Sequence, residues 1–88
     1  MDACNITFKK SALKDLDHIP KPFLKNINKR ISDLSINPFP ASFKKLPGSK
    51  AFYRIRYADF RIIYGVNPKE RLITIQYVGN RKDIYDKL

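Results

Sequence analysis

Hydrophobic and polar residues alternate near the start of the chain and then follow a helical period, which predicts a short strand and a helix. The strand pattern consists of Cys4, Ile6 and Phe8 with polar residues between them. Ser11 provides a side-chain oxygen that caps the helix, whose apolar side is formed by Ala12, Leu13 and Leu16. Because the residue before a proline is pushed out of the helical region, this helix is expected to end at Ile19-Pro20.

A second helix is predicted from Pro22, which fits in a first helical turn, to Asn37-Pro38. Its apolar positions keep the spacing of one helical face: Phe23, Leu24, Ile27, Ile31 and Leu34. Its solvent side carries Lys25, Asn28, Lys29 and Asp33. The short link between the two helices predicts a helical hairpin packed on one face of a sheet.

The second half of the chain predicts three consecutive strands, in the β-rich runs 53–57, 60–66 and 72–78. Ala58-Asp59 is short enough for a two-residue turn, which would pair Tyr57 with Phe60 and place Arg56 opposite Arg61. Gly79-Asn80 is expected to end the last strand. The proline-rich stretch between residues 37 and 50 predicts an irregular loop anchored in the core by Phe39, Phe43 and Leu46.

These elements predict an α+β fold in a single domain of residues 1–88. The N-terminal strand and an antiparallel three-strand meander form a small sheet with the helical hairpin on one face. Arg54 and Arg56 lie two residues apart, so they point to the same side of their strand. We expect them, with Arg61, on the sheet face that lacks helices. Like charges placed opposite each other destabilise a strand pair, so their presence indicates an anionic ligand.

The formal net charge of +10 in 88 residues is the strongest compositional signal. Such a charge attracts polyanions, which makes nucleic acid the first partner to consider and an acidic protein its competitor. Between Lys44 and Lys82 ten Lys or Arg stand against two acids, so the positive surface is expected mainly in the second half.

The composition also excludes several classes of protein. Cys4 is the single cysteine and His18 lies far from it, so neither an internal disulfide nor a zinc site is expected. We interpret Cys4 as a small core residue and His18 as a surface or packing residue. No apolar run approaches the roughly 18 residues of a membrane span and no secretory signal is visible, which predicts a cytoplasmic protein.

The arginines and tyrosines of the second half suit RNA chemistry. Arginine clamps a phosphate and stabilises the charge that develops on it, while tyrosine stacks on unpaired bases. RNA supplies its own nucleophile, the ribose 2′-OH, whose attack on the adjacent phosphate needs alignment and proton transfer but no metal. Tyr85 follows Arg81 by four residues and shares its face if the tail is helical. The strand tyrosines are interpreted as core or sheet-face residues: Tyr53, Tyr57, Tyr64 and Tyr77.

Four stretches together carry a resemblance to a known family: 45–50 (KLPGSK), 53–56 (YRIR), 60–64 (FRIIY) and 78–85 (VGNRKDIY). They resemble the signature of the RelE toxins of bacterial toxin–antitoxin pairs. The resemblance implies a metal-independent, cofactor-free ribonuclease that enters the ribosomal A site and cuts messenger RNA by 2′-OH attack. The product would be a 2′,3′-cyclic phosphate. It also implies contact with ribosomal RNA and inhibition by an antitoxin, which we expect to be acidic. The toxin is expected to be a monomer when it is not bound to the antitoxin.

The same resemblance implies roles for individual residues. Arg61 would stabilise the scissile phosphate, Arg81 the phosphate and the leaving oxygen, and Tyr85 would orient or stack the substrate. Arg54 and Arg56 fall where the best-known member has lysines, so the charge is kept but not an amine that readily gives up its proton. Arg56 is counted with the catalytic residues, and the expected substrate-binding residues are Lys50, Arg54 and Lys82.

Two alternatives remain open at this point. The related ParE toxins resemble the same scaffold but poison DNA gyrase, and they lack the set Arg61, Arg81 and Tyr85. A non-catalytic basic module that binds RNA or an acidic partner is the third possibility. Cleavage of ribosome-bound messenger, inhibition of gyrase supercoiling, and salt-sensitive RNA binding without either activity separate the three.

Overall fold

The computed structural model describes residues 3–46 and 52–80, which form an α+β fold as predicted. The elements in chain order are β1 (Asn5–Phe8), α1 (Lys10–Asp17), α2 (Lys21–Ile36), β2 (Lys44–Lys45), β3 (Phe52–Tyr57), β4 (Phe60–Asn67) and β5 (Leu72–Asn80). Two predicted boundaries are wrong. The loop predicted to be irregular contains β2, and β5 continues through Gly79-Asn80, because these residues still pair with β4.

Within these ranges the strands form one mixed sheet in the order β1-β5-β4-β3-β2. The meander of β3, β4 and β5 is antiparallel as predicted, and Tyr57 pairs with Phe60 across a two-residue turn. β1 lies parallel to β5, with Asn5 opposite Leu72. The chain therefore crosses the sheet through both helices before the meander begins.

Both helices pack on one face of this sheet and enclose the main core. The fully or nearly fully buried side chains are Ala12, Ile19, Ile27, Ile31, Leu34, Ile55, Ile62, Tyr64, Ile73, Ile75 and Val78. Tyr64 is completely buried, and its hydroxyl donates to the carbonyl oxygen of Pro38 at 2.6 Å. Burial, with the neighbouring Tyr53 as a smaller cause, raises the pKa of Tyr64 well above its ordinary value.

The second helix follows the prediction, whereas the first departs from it in two respects. α2 carries Pro22 in its first turn and ends at Ile36. α1 begins at Lys10, so Ser11 lies inside the first turn and makes no cap; its hydroxyl donates instead to the carbonyl oxygen of Gln76 at 2.8 Å. Leu13, predicted on the apolar side of α1, is 51% exposed.

α1 covers the part of β5 that β1 leaves unpaired. β1 pairs with residues 72–75 and ends there. Beyond that point Ser11 binds the carbonyl of Gln76, and the carboxylate of Asp15 accepts from the N–H of Val78 at 3.0 Å. Side chains of a helix thus satisfy backbone groups that would otherwise form an open sheet edge.

A β-bulge interrupts the pairing of β4 with β5. Ile63 pairs with Tyr77 and Tyr64 pairs with Ile75, so Gln76 is the extra residue on β5. The bulge shifts the alternation, and Val78 therefore enters the core while Tyr77 and Gly79 point to the face opposite the helices. In the part of the chain that the structure describes, neither helix is long and apolar enough to cross a membrane.

Candidate nucleic-acid interface

The sheet face opposite the helices carries four basic side chains, Lys44, Arg54, Arg56 and Arg61, and is called here the arginine face. Arg56 lies directly opposite Arg61, as the sequence predicts, and Arg61 in turn lies opposite Gly79 on β5. Three neighbouring strands therefore form one row across this face. Gly79 has no side chain, so β5 contributes only backbone to this row.

A second row runs beside the first, displaced by two residues along each strand. Lys44 on β2 lies opposite Arg54, Arg54 opposite Ile63, and Ile63 opposite Tyr77. Lys44 was not among the residues predicted for the site, because β2 was predicted to be loop. The register makes Lys44 and Arg54 a second pair of like charges on the same face as Arg56 and Arg61.

A small apolar cluster lies on the same sheet face as the basic side chains. Leu46 and Ile63 are buried there, and Phe52 and Tyr77 pack against them. The face is thus not uniformly polar as the sequence pattern implied. These side chains pack beside the basic groups and hold the strands that carry them.

Arg61 is the most deeply placed of the basic residues. Only 4% of its surface is exposed, whereas Arg54 is half-buried and Arg56 is exposed. Its Nη1 atom donates to the carbonyl oxygen of Phe60 at 3.4 Å, so the guanidinium bends back over its own strand. Its position on the arginine face agrees with the prediction, but its burial was not predicted.

The geometry brings together part of the predicted site. Arg54, Arg56 and Arg61 share one face, as expected. Lys50, Arg81, Lys82 and Tyr85 lie outside the described residues, so their predicted roles stay predictions. Among residues 3–46 and 52–80, no three His, Cys, Asp or Glu side chains come together in a group that could hold a metal ion.

The arrangement of charge is suited to a polyanion. Like charges directly opposite each other cost stability in a strand pair, and this face contains two such pairs. A phosphate between the strands would relieve that repulsion and accept hydrogen bonds from guanidinium groups. The described strands thus carry several cationic donors on one face, an arrangement that suits an anionic ligand.

The remaining side chains considered for chemistry have packing roles. The Nδ1 atom of His18 lies 2.7 Å from the carbonyl oxygen of Lys14 on the exposed end of α1. Cys4 packs half-buried against the main core, as predicted. Tyr53 and Tyr57 also pack against that core, and the Tyr57 hydroxyl accepts from the side-chain amide of Asn26 at 2.8 Å.

Comparison with known proteins identifies the family. The model of the ParE toxin of the type II toxin–antitoxin system parDE matches residues 6–85. RelE1 of Methanocaldococcus jannaschii is 36% identical over 84 residues, which span 92% of this chain and 93% of the relative.

Solved structures give the same result. The RelB–RelE antitoxin–toxin complex of Methanococcus jannaschii contains a chain that is 32% identical, with a TM-score of 0.76 over 93% of this chain and 98% of that one. The archaeal RelE–RelB complex of Pyrococcus horikoshii gives 28% identity and a TM-score of 0.79 over 90% and 96% of the two chains. The chain therefore belongs to the RelE family, within the RelE/ParE superfamily of toxins from type II toxin–antitoxin systems.

Proposed function

We propose that this toxin cuts messenger RNA on the ribosome and thereby stops translation in the cytoplasm. The ribose 2′-OH attacks the adjacent phosphate, the 5′-oxygen of the next nucleotide leaves, and a 2′,3′-cyclic phosphate remains. The observation that carries the proposal is the register of the arginine face, where two like-charged pairs lie side by side. The named RelE relatives support the same reading.

Each basic residue has a distinct part in this proposal. Arg61 stabilises the negative charge that builds up on the scissile phosphate, and Arg81 neutralises the phosphate and the leaving oxygen. Arg56, directly opposite Arg61, adds its positive charge to the catalytic group, and Arg54, Lys50 and Lys82 hold the adjoining backbone of the substrate. Tyr85 stacks on or orients the substrate base.

The rate acceleration in this mechanism comes from alignment of the substrate and from positive charge more than from a general base with a shifted pKa. Arginine stays protonated in proteins, so Arg54 and Arg56 cannot accept the proton of the 2′-OH. Alignment of nucleophile and phosphate, with guanidinium groups aimed at the developing charge, supplies the larger part of the rate.

The burial of Arg61 places a condition on the mechanism. Its side chain is nearly inaccessible to solvent, so RNA reaches it only after a rearrangement on the arginine face. Binding to the ribosome is a step at which such a rearrangement would occur.

An acidic antitoxin is the second partner in the proposal. The two relatives of solved structure named above were crystallised with RelB, and the net charge of +10 favours a negatively charged protein as the inhibitor. Its gene is expected next to that of this toxin. A neutral or basic neighbour that forms no complex would contradict this part.

Inhibition of DNA gyrase is the alternative function, because the family model that matches describes ParE toxins. It predicts loss of supercoiling by gyrase and intact messenger RNA. The arginine face favours the ribonuclease, since a cluster of guanidinium groups has an evident role on a phosphodiester.

The deciding experiment maps messenger RNA ends in a purified translation system. We expect cuts with wild-type toxin and a loss of about 100-fold or more in rate for Arg61→Ala and Arg81→Ala, the size seen when a transition-state donor is removed. Tyr85→Phe keeps the aromatic ring but removes the hydroxyl, so its cleavage rate separates stacking from any role of the hydroxyl.

Arg61→Lys serves as the folding control, because it keeps the charge of a buried group. Circular dichroism confirms that each variant is folded before its rate is compared. Unchanged cutting by Arg81→Ala would remove the proposed active site, and gyrase inhibition without cutting would replace the proposed function by its alternative.

A further inference from the structure

An apolar groove lies at the end of the molecule where α2 stops and the turn between β4 and β5 begins. It has a volume of about 440 Å³. Its walls include Cys4, Ile36, Phe39, Val66, Pro68 and Arg71. None of these residues belongs to the arginine face.

Two of the residues that line the groove are large hydrophobic side chains exposed to solvent. Ile36 is 70% exposed and Phe39 is 42% exposed. Isolated exposed apolar residues are common, but two that flank one apolar depression form the kind of patch that marks an interaction site. Phe39 is held in place by ring contacts with Phe43 and Tyr53 at 5.2 and 5.1 Å, so this wall of the groove is preformed.

The groove and the arginine face are separate surfaces. Val66 lies five residues after Arg61 on β4, which is about 17 Å along a strand. Val66 packs against the helix-side core, whereas Arg61 points to the other face. A partner bound in the groove would therefore not touch the basic side chains directly.

The chemistry of the walls fits a protein segment better than a small molecule. Small-molecule sites place several convergent polar groups around the ligand. Here the side-chain oxygen of Asn37 already accepts from the N–H of Phe39 at 3.1 Å. Arg71 lines the groove, and the protein as a whole carries a net charge of +10, which attracts an acidic partner. The occupant that matches is an apolar side chain carried by an acidic polypeptide.

We infer that this groove anchors an apolar segment of the acidic antitoxin, separately from any contact that the antitoxin makes with the arginine face. The inference rests on the proposed function for the identity of the partner. Inhibition would then use two separate surfaces of the toxin. An apolar segment of the antitoxin binds in the groove, and acidic residues of the antitoxin bind to the arginine face.

The test uses the full-length toxin and the protein encoded by the neighbouring gene, with the dissociation constant measured by calorimetry. Ile36→Gln keeps the net charge and should raise the dissociation constant about tenfold or more, because a buried isoleucine contact is lost. Ile36→Leu should restore binding. Leu13→Gln is the matched control, since Leu13 is also an exposed aliphatic residue on a helix but does not line the groove.

Messenger RNA cleavage by Ile36→Gln should equal that of the wild type, which shows that the variant is folded and that the two surfaces are independent. Equal affinity of Ile36→Gln and wild type would overturn the anchor while leaving the antitoxin as partner. If Leu13→Gln alone weakened antitoxin binding, the interface would lie on α1, and this result would also overturn the inference. A neighbour that does not bind wild-type toxin would reject both the anchor and the antitoxin part of the proposed function, and the cleavage assay would still decide the nuclease part.

Discussion

Two buried polar residues of β4 show how one strand serves two purposes. Tyr64 points into the helix-side core, where its hydroxyl is bound to Pro38, and Arg61 points to the opposite face. Alternation along the strand predicts which face each residue takes. It does not predict that Arg61 is buried, because burial depends on what covers that face.

In the variant Tyr64→Phe, the free energy of unfolding should decrease less steeply with rising alkaline pH than in the wild type. The unfolded tyrosine ionises near pH 10, whereas burial raises the pKa of Tyr64 in the folded protein. The hydroxyl therefore stabilises the fold fully below about pH 10, and this contribution is lost as the pH rises toward the folded pKa.

Urea unfolding of both proteins between pH 8 and 11 checks this expectation. Lysine and arginine titrations are common to the two proteins, so their difference isolates Tyr64. At pH 8 the variant should be less stable by about 1 kcal/mol, because the hydrogen bond to Pro38 is lost. A steeper alkaline fall in the variant than in the wild type would contradict the argument.

At the scale of elements, the chain departs from the sequence prediction where an element takes its hydrogen bonds from a distant one. Ser11 has the composition of a helix cap but is used by the edge of β5. β2 is two residues long, so its register with β3 leaves little trace in the hydrophobic pattern. The first feature depends on a residue 65 positions away, and the second on a strand too short to show a period, so a local pattern contains neither.

The bulge is visible in the burial pattern of β5 but not in its sequence. Ile73 and Ile75 are two residues apart and buried, but the next buried apolar residue of β5 is Val78, three residues further on. In the sequence Tyr77 continues the alternation of Ile73 and Ile75, so no inserted residue is indicated. The run 72–78 was predicted as a regular strand, so the shift that places Tyr77 on the arginine face and Gly79 opposite Arg61 was missed.

The hairpin between β3 and β4 carries local strain that can be removed. Ala58, the first of the two turn residues, has a φ of 51°. A side chain with a β-carbon is disfavoured there by about 1 to 2 kcal/mol, and glycine is the usual residue at that position of a type II′ turn.

Ala58→Gly should therefore stabilise the protein by about 0.5 to 1 kcal/mol after the extra freedom of glycine in the unfolded chain is subtracted. Ala58→Val, which adds a branched side chain at the same exposed position, should destabilise it. Thermal melting of both variants tests this, and equal melting temperatures would show that the turn does not constrain this residue.

At the scale of the whole molecule, positive charge is present on both sides of the sheet. The helices expose Lys10, Lys14, Lys21, Lys25 and Lys29, so the basic surface is less confined to the second half than the sequence count indicated. Net charge alone therefore does not distinguish the two sides. The register of the strands does distinguish them, because it pairs like charges on one face alone of the described sheet.

Salt dependence of binding to a single-stranded RNA distinguishes the two sides. Each phosphate contact contributes about 0.7 to the slope of log affinity against log salt concentration. Arg56→Gln should lower that slope by about this amount, whereas Lys25→Gln, with the same loss of charge on α2, should leave it unchanged. Equal changes in the two variants would mean that RNA is held by the overall field and not by the arginine face.

The parallel pairing of β1 with β5 has a consequence for synthesis. Asn5 lies opposite Leu72, so β1 has no partner strand until β5 has been synthesised. Contacts between such distant residues form slowly, and a nascent chain lacks them until residues 72–75 have been synthesised. Under the proposed function, the toxin would therefore lack its complete sheet while the ribosome that produces it is still at work.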